Sequence, residues 1–548
     1  VVNAWQRLAL AATLAGCATP DPTTPRPAPN DEEAHLVPLA PARLLRRMSL
    51  DLRGVLPSPA ELDAVEADAG AFDRLRDAWL DDPRLEERVV EWLAERWHTR
   101  VDSFDIRHYD YGLADTEEFA FEKAVGEEPL RLAARVVITD APWSTIVTAD
   151  HTMANELLAE LWPLDYPAGA EGWQEARYTD GRPPVGVLAT NGLWWRYPTS
   201  SFNLSRSRVG ALSRLLVCHD LLERPISFTA TPSLLDPEGV ADAITTVDAC
   251  VSCHSGIEPA AAAMFGFVPA VQYNVDEVER YHPEREPLGP LTLGVAPAWY
   301  GRPISGLAEL GPAIAADPRF DACAVETFAS ALWRREVDVG DTHRLATLRS
   351  AYDAGGERIR PLLRAILDGA TWQAGALADE AEDAEATKER TARLLSPDQL
   401  ARVIEDLTAF RWTESGFDQL RNDERGYRVL AGGVNGVNVL RPQATPGLTW
   451  ALVVRRLAEG GAATVVANDL GGGARRLLTV SGDERPGELA FDAELDTLSW
   501  RLFAERADAE DRATWSALWT TVEAGEGPEA AWTAVLAALL QDPAFVTE

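Results

Sequence analysis

The stretch DACVSCHSGIEP, residues 248–259, constrains this chain more than any other. Cys250 and Cys253 are separated by two residues, and His254 follows at once. C-x-x-C-H is the attachment pattern of a c-type haem. Two thiols one helical turn apart add to the two vinyl groups of the porphyrin, and the adjacent histidine lies under the iron as an axial ligand. Three other readings stay open from the residues alone. Zinc would need four ligands, and neither a second cysteine pair nor an H-x₃₋₅-H pattern is present to complete them. A redox dithiol usually sits in a thioredoxin-like βαβ unit, for which no pattern is seen. The third is a chance match.

A c-type haem also needs a sixth ligand or an open face. The candidates are Met153, Met264, His151 and His282. Met264 lies only ten positions past His254. A helix running through Glu258 and PAAAAMFGF would carry it along the same side of the haem as His254. Met153, in TADHTMANELLAELW at the start of an expected helix, is therefore the favoured distal ligand, against the plainer reading of a buried core methionine.

The compartment is read from the first residues, VVNAWQRLALAATLAGCATPDPTTPRPAPNDEE. Arg7 supplies a short positive region, and Leu8 to Ala15 form an apolar run too short to span a bilayer. Residues 1–16 read as a signal peptide. Leu14-Ala15-Gly16-Cys17 resembles a bacterial lipobox, which implies cleavage before Cys17 and its lipidation. Residues 17–40 read as a disordered tether rich in Pro, Thr and Asp. Ala18 stands where inner-membrane lipoproteins carry Asp, so the outer membrane is expected, with the lipid anchor as the only membrane contact. The formal net charge of −35 argues against nucleic-acid binding, since a phosphate backbone needs a basic face. The same excess can steer a cationic partner, although a solvated surface is the plainer reading.

Export places the remaining cysteines in an oxidising compartment. Cys218, in LSRLLVCHDLL, and Cys323, in DPRFDACAVETF, are left over by the haem pattern. Two such thiols tend to pair, and a Cys218–Cys323 disulfide is expected to close a loop around the haem segment. Two separately buried thiols are the alternative.

At about 100–200 residues per domain, 548 residues suggest three or four units. The expected class is mainly α: helical-hairpin units around a loop-rich haem c segment, with a second, C-terminal helical domain. Residues 41–180 read as an N-terminal helical domain and 181–377 as the haem c-bearing region with further helices. Residues 378–390 read as an acidic linker and 391–548 as the C-terminal domain. SPAE at 58–61 and SPDQ at 396–399 are capping boxes, with Pro at the first helical position. A weak repeat of helix, polar turn, helix, Gly-containing break and helix recurs near 41–83, 327–372 and 497–545, with Asp-Pro at 82–83, 317–318 and 542–543. The Gly- and Pro-rich stretch EPLGPLTLGVAPAWYGRPISGL leaves little room for strand. No Ser/His/Asp arrangement, G-x-S-x-G or H-E-x-x-H appears.

Several segments together resemble a known family. LLRRMSLDLRGVLPSPAEL, STIVTADHTMANELLAELW, PPVGVLATNGLWWRYPTSSFNLSRSRVGALSRLLVCHD, CVSCHSGIEPAAAAMFGF, AIAADPRFDACAVETFASALWRRE and LLSPDQLARVIEDLTAFRWT follow in the order seen in planctomycete-type cytochrome c-associated domains of unknown function. Glu258-Pro259 stands where that family usually has Asp-Pro. The resemblance implies a helical, envelope-located protein with one covalent haem c; it implies no reaction. The expected function is a lipid-anchored mono-haem cytochrome that passes electrons to an envelope redox partner. One alternative is a haem-linked oxidoreductase acting on an envelope substrate or peroxide. The other is a surface scaffold or binding protein without haem.

Overall fold

Ser58 and Ser396 open helices in the way their sequences require. The Ser58 hydroxyl accepts from the Glu61 N–H, and the Glu61 carboxylate accepts from the Ser58 N–H at 2.7 Å. Ser396 and Gln399 repeat the exchange. Each box satisfies two backbone donors that a helix start would otherwise leave bare. The computed structural model describes residues 35–68, 70–223, 236–271, 274–377 and 392–548.

Helix dominates these residues and strands are short, as expected for the mainly α class. The first repeat segment folds as α1 (Pro41–Leu52), α2 (Pro59–Ala67) and α3 (Ala71–Leu80). α4 (Leu85–Trp97) and α5 (Glu118–Ile138) follow and pack on each other. The middle of the chain carries α6 (Arg206–Val217), α7 (Pro237–Thr246), α8 (Asp248–Ala262) and α9 (Leu307–Ala315). The second repeat folds as α10 (Pro318–Trp333), α11 (Thr342–Ala354) and α12 (Ile359–Asp368). Beyond them lie α13 (Pro397–Thr408), α14 (Leu448–Leu470) and the third triplet, α15 (Leu489–Phe503), α16 (Ala509–Glu526) and α17 (Pro528–Leu539). The Asp-Pro pairs are helix starters. Asp317 accepts from the Arg319 N–H at 3.0 Å, Asp542 from Ala544 at 2.8 Å and Asp82 from Arg84 at 2.9 Å.

Two large apolar cores result. One gathers Met48, Trp97, Leu132, Ile314 and Phe328 from α1 to α12; the other gathers Leu400, Val454, Phe491, Trp519 and Trp532 from α13 to α17. The two cores meet at α1. α1 sends Leu45, Met48 and Leu52 into the first core and Leu50 into the second. Its Arg46, 1% exposed, donates to the carbonyls of Leu502, Phe545 and Thr547.

Three local expectations change. Leu36–Pro38, inside the expected tether, pairs antiparallel with Ala374–Leu377. Thr152–Ala154 is a strand paired with Gln174–Ala176, and the helix there starts only at Glu156. The segment expected to be loop holds a short helix, Leu288–Leu293, and a small hairpin, Ala298–Trp299 with Arg302–Pro303. The signal peptide, Cys17 and the 378–390 linker lie outside the described residues. No helix among the described residues is long and apolar enough to cross a membrane.

Candidate haem attachment site

The motif occupies the first half of α8. That half is exposed or half-buried from Asp248 to Ile257, whereas Glu258 and Ala260–Ala262 are buried. The helix is anchored by its C-terminal half and presents the motif at the edge of the first core. Its packing partners are α6, α7, the Leu288–Leu293 helix and the 298–303 hairpin. The Leu288–Leu293 helix approaches closely because Gly289 is bare: a Cβ there would stand 2.1 Å from the Ala262 carbonyl oxygen. Pro259 lies inside α8 and lacks the N–H that would bond one turn back.

Cys250 and Cys253 are free and half-buried, three residues apart on one continuous helix and so on a shared face. His254 follows on the same turn. Its Nδ1–H donates to Glu258 Oε1 at 2.6 Å, an i,i+4 contact. The Glu258 carboxylate also takes a two-pronged contact from Arg206, the first residue of α6, at 2.6 and 2.9 Å. Burial pushes the Glu258 carboxyl up, but the hydrogen bonds from His254 and Arg206 outweigh it and hold the group below its usual range. A carboxylate on Nδ1 fixes the ring and leaves Nε2 as the nitrogen open to a further partner. The donor set therefore fits a haem c: two reduced thiols one turn apart and an imidazole whose Nδ1 is already engaged. No group of three or more His, Cys, Asp or Glu side chains placed to hold a bare metal ion occurs among the described residues.

The candidate sixth ligands are scattered. Met153 is 4% exposed in the Thr152–Ala154 strand, which packs on α5 and on Gln174–Tyr178 rather than among the main partners of α8. Met264 is fully buried just past the end of α8. Both belong to the first core. His151 pairs with Asp150 at 3.1 Å, and His282 lies 3.1 Å from the Glu277 carbonyl oxygen.

Cys218 and Cys323 are joined, with their Cα atoms 5.1 Å apart. The bridge ties the end of α6 to α10, as expected from the two leftover thiols. Beside it lie residues the sequence did not single out. Tyr300 Oη is 2.8 Å from His219 Nδ1 and 2.9 Å from Ser213 Oγ, and the Tyr300 ring rests against α8 at Gly256. Arg206 was also missed, since 52 positions separate it from Glu258. The i,i+4 spacing of His254 and Glu258 was the readable signal.

No family model matches the chain, and no curated protein or solved structure matches it significantly.

Proposed function

We propose that the chain is a lipid-anchored, mono-haem c-type protein of the bacterial envelope, akin to the planctomycete-type cytochrome c-associated family. Cys250 and Cys253 would tether the porphyrin, and His254 would supply the proximal ligand through Nε2. Cys17 would carry the lipid at the outer membrane. A bound haem supplies a one-electron iron couple. The residues of this chain do the rest. α8 sets the spacing of the thiols, Glu258 orients His254, and Arg206 holds the carboxylate in place. The observation that carries the reading is the engaged Nδ1 of His254 beside two free thiols on one turn. Electron transfer to an envelope redox partner is the function that this arrangement supports.

A haem-linked oxidoreductase is the second reading, and one observation favours it. A carboxylate bonded directly to the proximal histidine makes that ligand more basic and stabilises the oxidised metal. Reduced protein treated with carbon monoxide separates the two. A spectrum that does not change supports pure electron transfer, and a carbon monoxide adduct supports an open, reactive iron.

The central test is the haem spectrum of denatured protein made in a host with cytochrome c maturation. Covalent haem should be present in the native chain and absent after Cys250→Ala and Cys253→Ala together. A covalent signal that survives the double substitution overturns the proposal.

A further inference from the structure

Arg208, on α6, is a buried charge with no opposite charge beside it. It is 5% exposed. Its Nε donates to the Tyr197 carbonyl at 3.0 Å and its Nη1 to the Phe267 carbonyl at 3.0 Å. Nη2 makes no hydrogen bond among the described residues, yet it is not sealed off from solvent. The guanidinium lies 5.0 Å from the centroid of the Trp194 ring, a contact weaker than an ion pair. Burial alone lowers its pKa, to about 9, and no neighbouring charge contributes. Other buried arginines are treated differently. Arg131 has Glu87 and Glu127 as partners, and Arg46 directs all three of its nitrogens at carbonyls.

Arg208 lines a cavity of about 40 Å³. Trp194 and Trp195, from the short helix Asn191–Arg196, form its walls with Ile106, Phe267 and Val278. Both indole N–H groups are already used, on the carbonyls of Leu188 and Val278, so these rings offer apolar surface. Asp105 lies at the exposed rim and makes no ion pair with Arg208. None of the lining residues belongs to the Cys250–His254 motif, so binding here does not depend on haem attachment.

The size and the lining select the ligand. The space is that of about three waters, enough for a charged head and a short stem. Water could hydrogen-bond Nη2, but it carries no charge to offset a buried guanidinium. One unpaired cation calls for one negative charge. A dianion would bring a second charge that the apolar walls could not compensate. A carboxylate offers two coplanar oxygens to guanidinium N–H donors, and its stem can rest on the rings.

We propose that this cavity binds a short-chain monocarboxylate, with its head on Arg208 Nη2 and its stem against Trp194, Trp195 and Phe267.

Calorimetry and thermal shift on the full chain test it, with propionate, its neutral counterpart propionamide and inorganic phosphate as probes at one fixed ionic strength. Propionate should bind saturably and raise the melting temperature. Propionamide should bind at least tenfold more weakly, and phosphate should not compete. Arg208→Met should weaken propionate binding at least tenfold, as expected for loss of a charge-assisted contact. That substitution also removes two bonds to carbonyls and can unsettle the fold. Val278→Phe therefore serves as a second variant: it fills the cavity and leaves Arg208 with both carbonyl partners, and it too should abolish binding. Absence of propionate binding overturns the proposal. So do equal binding of propionamide, competition by phosphate, and binding that survives either substitution in a folded chain.

Discussion

α1 and α8 each carry a cluster of polar residues that an ordinary helix would not, and they treat it in opposite ways. In α1, Arg46 and Arg47 are almost wholly buried. Arg47 donates to the carbonyls of Trp372, Ala374 and Glu548, much as Arg46 does to three others. Burial drags both guanidinium groups down to a pKa of about 9. Their donors go to the chain's own backbone, so their role ends in the fold. In α8, Cys250 and Cys253 bond nothing covalently and stand half-exposed, while only the Glu258 end is pinned. Polar atoms committed inside the protein read as structure, and polar atoms held ready at an edge read as a site.

The sharpest break in this comparison is the cysteine pair. Cys250→Ala with Cys253→Ala should abolish covalent haem entirely, yet leave the melting temperature of haem-free protein within about 1–2 °C, because neither thiol fills the core. A large loss of stability in the haem-free chain would place these residues with the arginines instead. Next comes the bridge. Cys218→Ala with Cys323→Ala opens a closure across 105 positions, worth about 4–5 kcal/mol in the chain-entropy model. Denaturant unfolding of native and double-substituted chains measures it. Arg47→Met should cost about 3 kcal/mol, since it strips a donor from buried carbonyls at about 1–3 kcal/mol each. An unchanged unfolding midpoint would show that α1 does not fasten the two cores together.

The sequence made one side of this comparison easier to read than the other. Helix starts at Ser58 and Ser396, the three helix triplets and the Cys218–Cys323 pair follow from local chemistry or from the cysteines that the C-x-x-C-H pattern leaves over. What escaped depends on distant partners. Leu36–Pro38 is a strand only because Ala374–Leu377 lies beside it, and Thr152–Ala154 only because of Gln174–Ala176. The C-terminal core was legible as a helical unit, but Arg46 reaching Leu502 and Thr547 cannot be seen from Arg46. Within the candidate site the motif and its i,i+4 carboxylate are local, whereas Arg206 and the Tyr300–His219 contact arrive through the packing of α6 and the 298–303 hairpin.

A smaller effect probes the proposed role of His254 as axial ligand. Glu258→Gln keeps the shape but removes the charge on His254 Nδ1. A less basic axial ligand favours the reduced metal, so the reduction potential of haem-loaded protein should rise. The rise should be on the order of 60 mV, the one-electron equivalent of a tenfold change in relative affinity for the two oxidation states. Haem content of the denatured protein should stay constant, which separates tuning from attachment. A potential that stays put would make the Glu258 contact merely structural.

The smallest effect concerns a carboxylate that belongs to neither helix. Glu122, on α5, is 4% exposed. Burial is the main cause that pushes its carboxyl up to about 8, reinforced by Glu118, Asp102 and Glu424, and the Arg107 guanidinium at 3.8 Å only partly opposes them. Glu118 and Asp102 are themselves paired, with Arg425 at 2.6 Å and Arg428 at 2.9 Å, so those arginines do little for Glu122. The folded chain therefore holds this proton more tightly than the unfolded chain does. That contribution to stability is complete below the usual glutamate range and is lost as pH rises from there through about 8. Glu128, lifted by burial to about 7, acts with the same sign. Glu122→Gln cannot ionise and escapes its own share of the loss. The substituted and native chains should melt together near pH 4.5, and the substituted chain should become the more stable of the two as pH rises to 8. Melting curves across that window measure the gap. A gap that stays flat, or that opens toward acid, would mean that Glu122 is ionised in the fold and that its neighbours already compensate it.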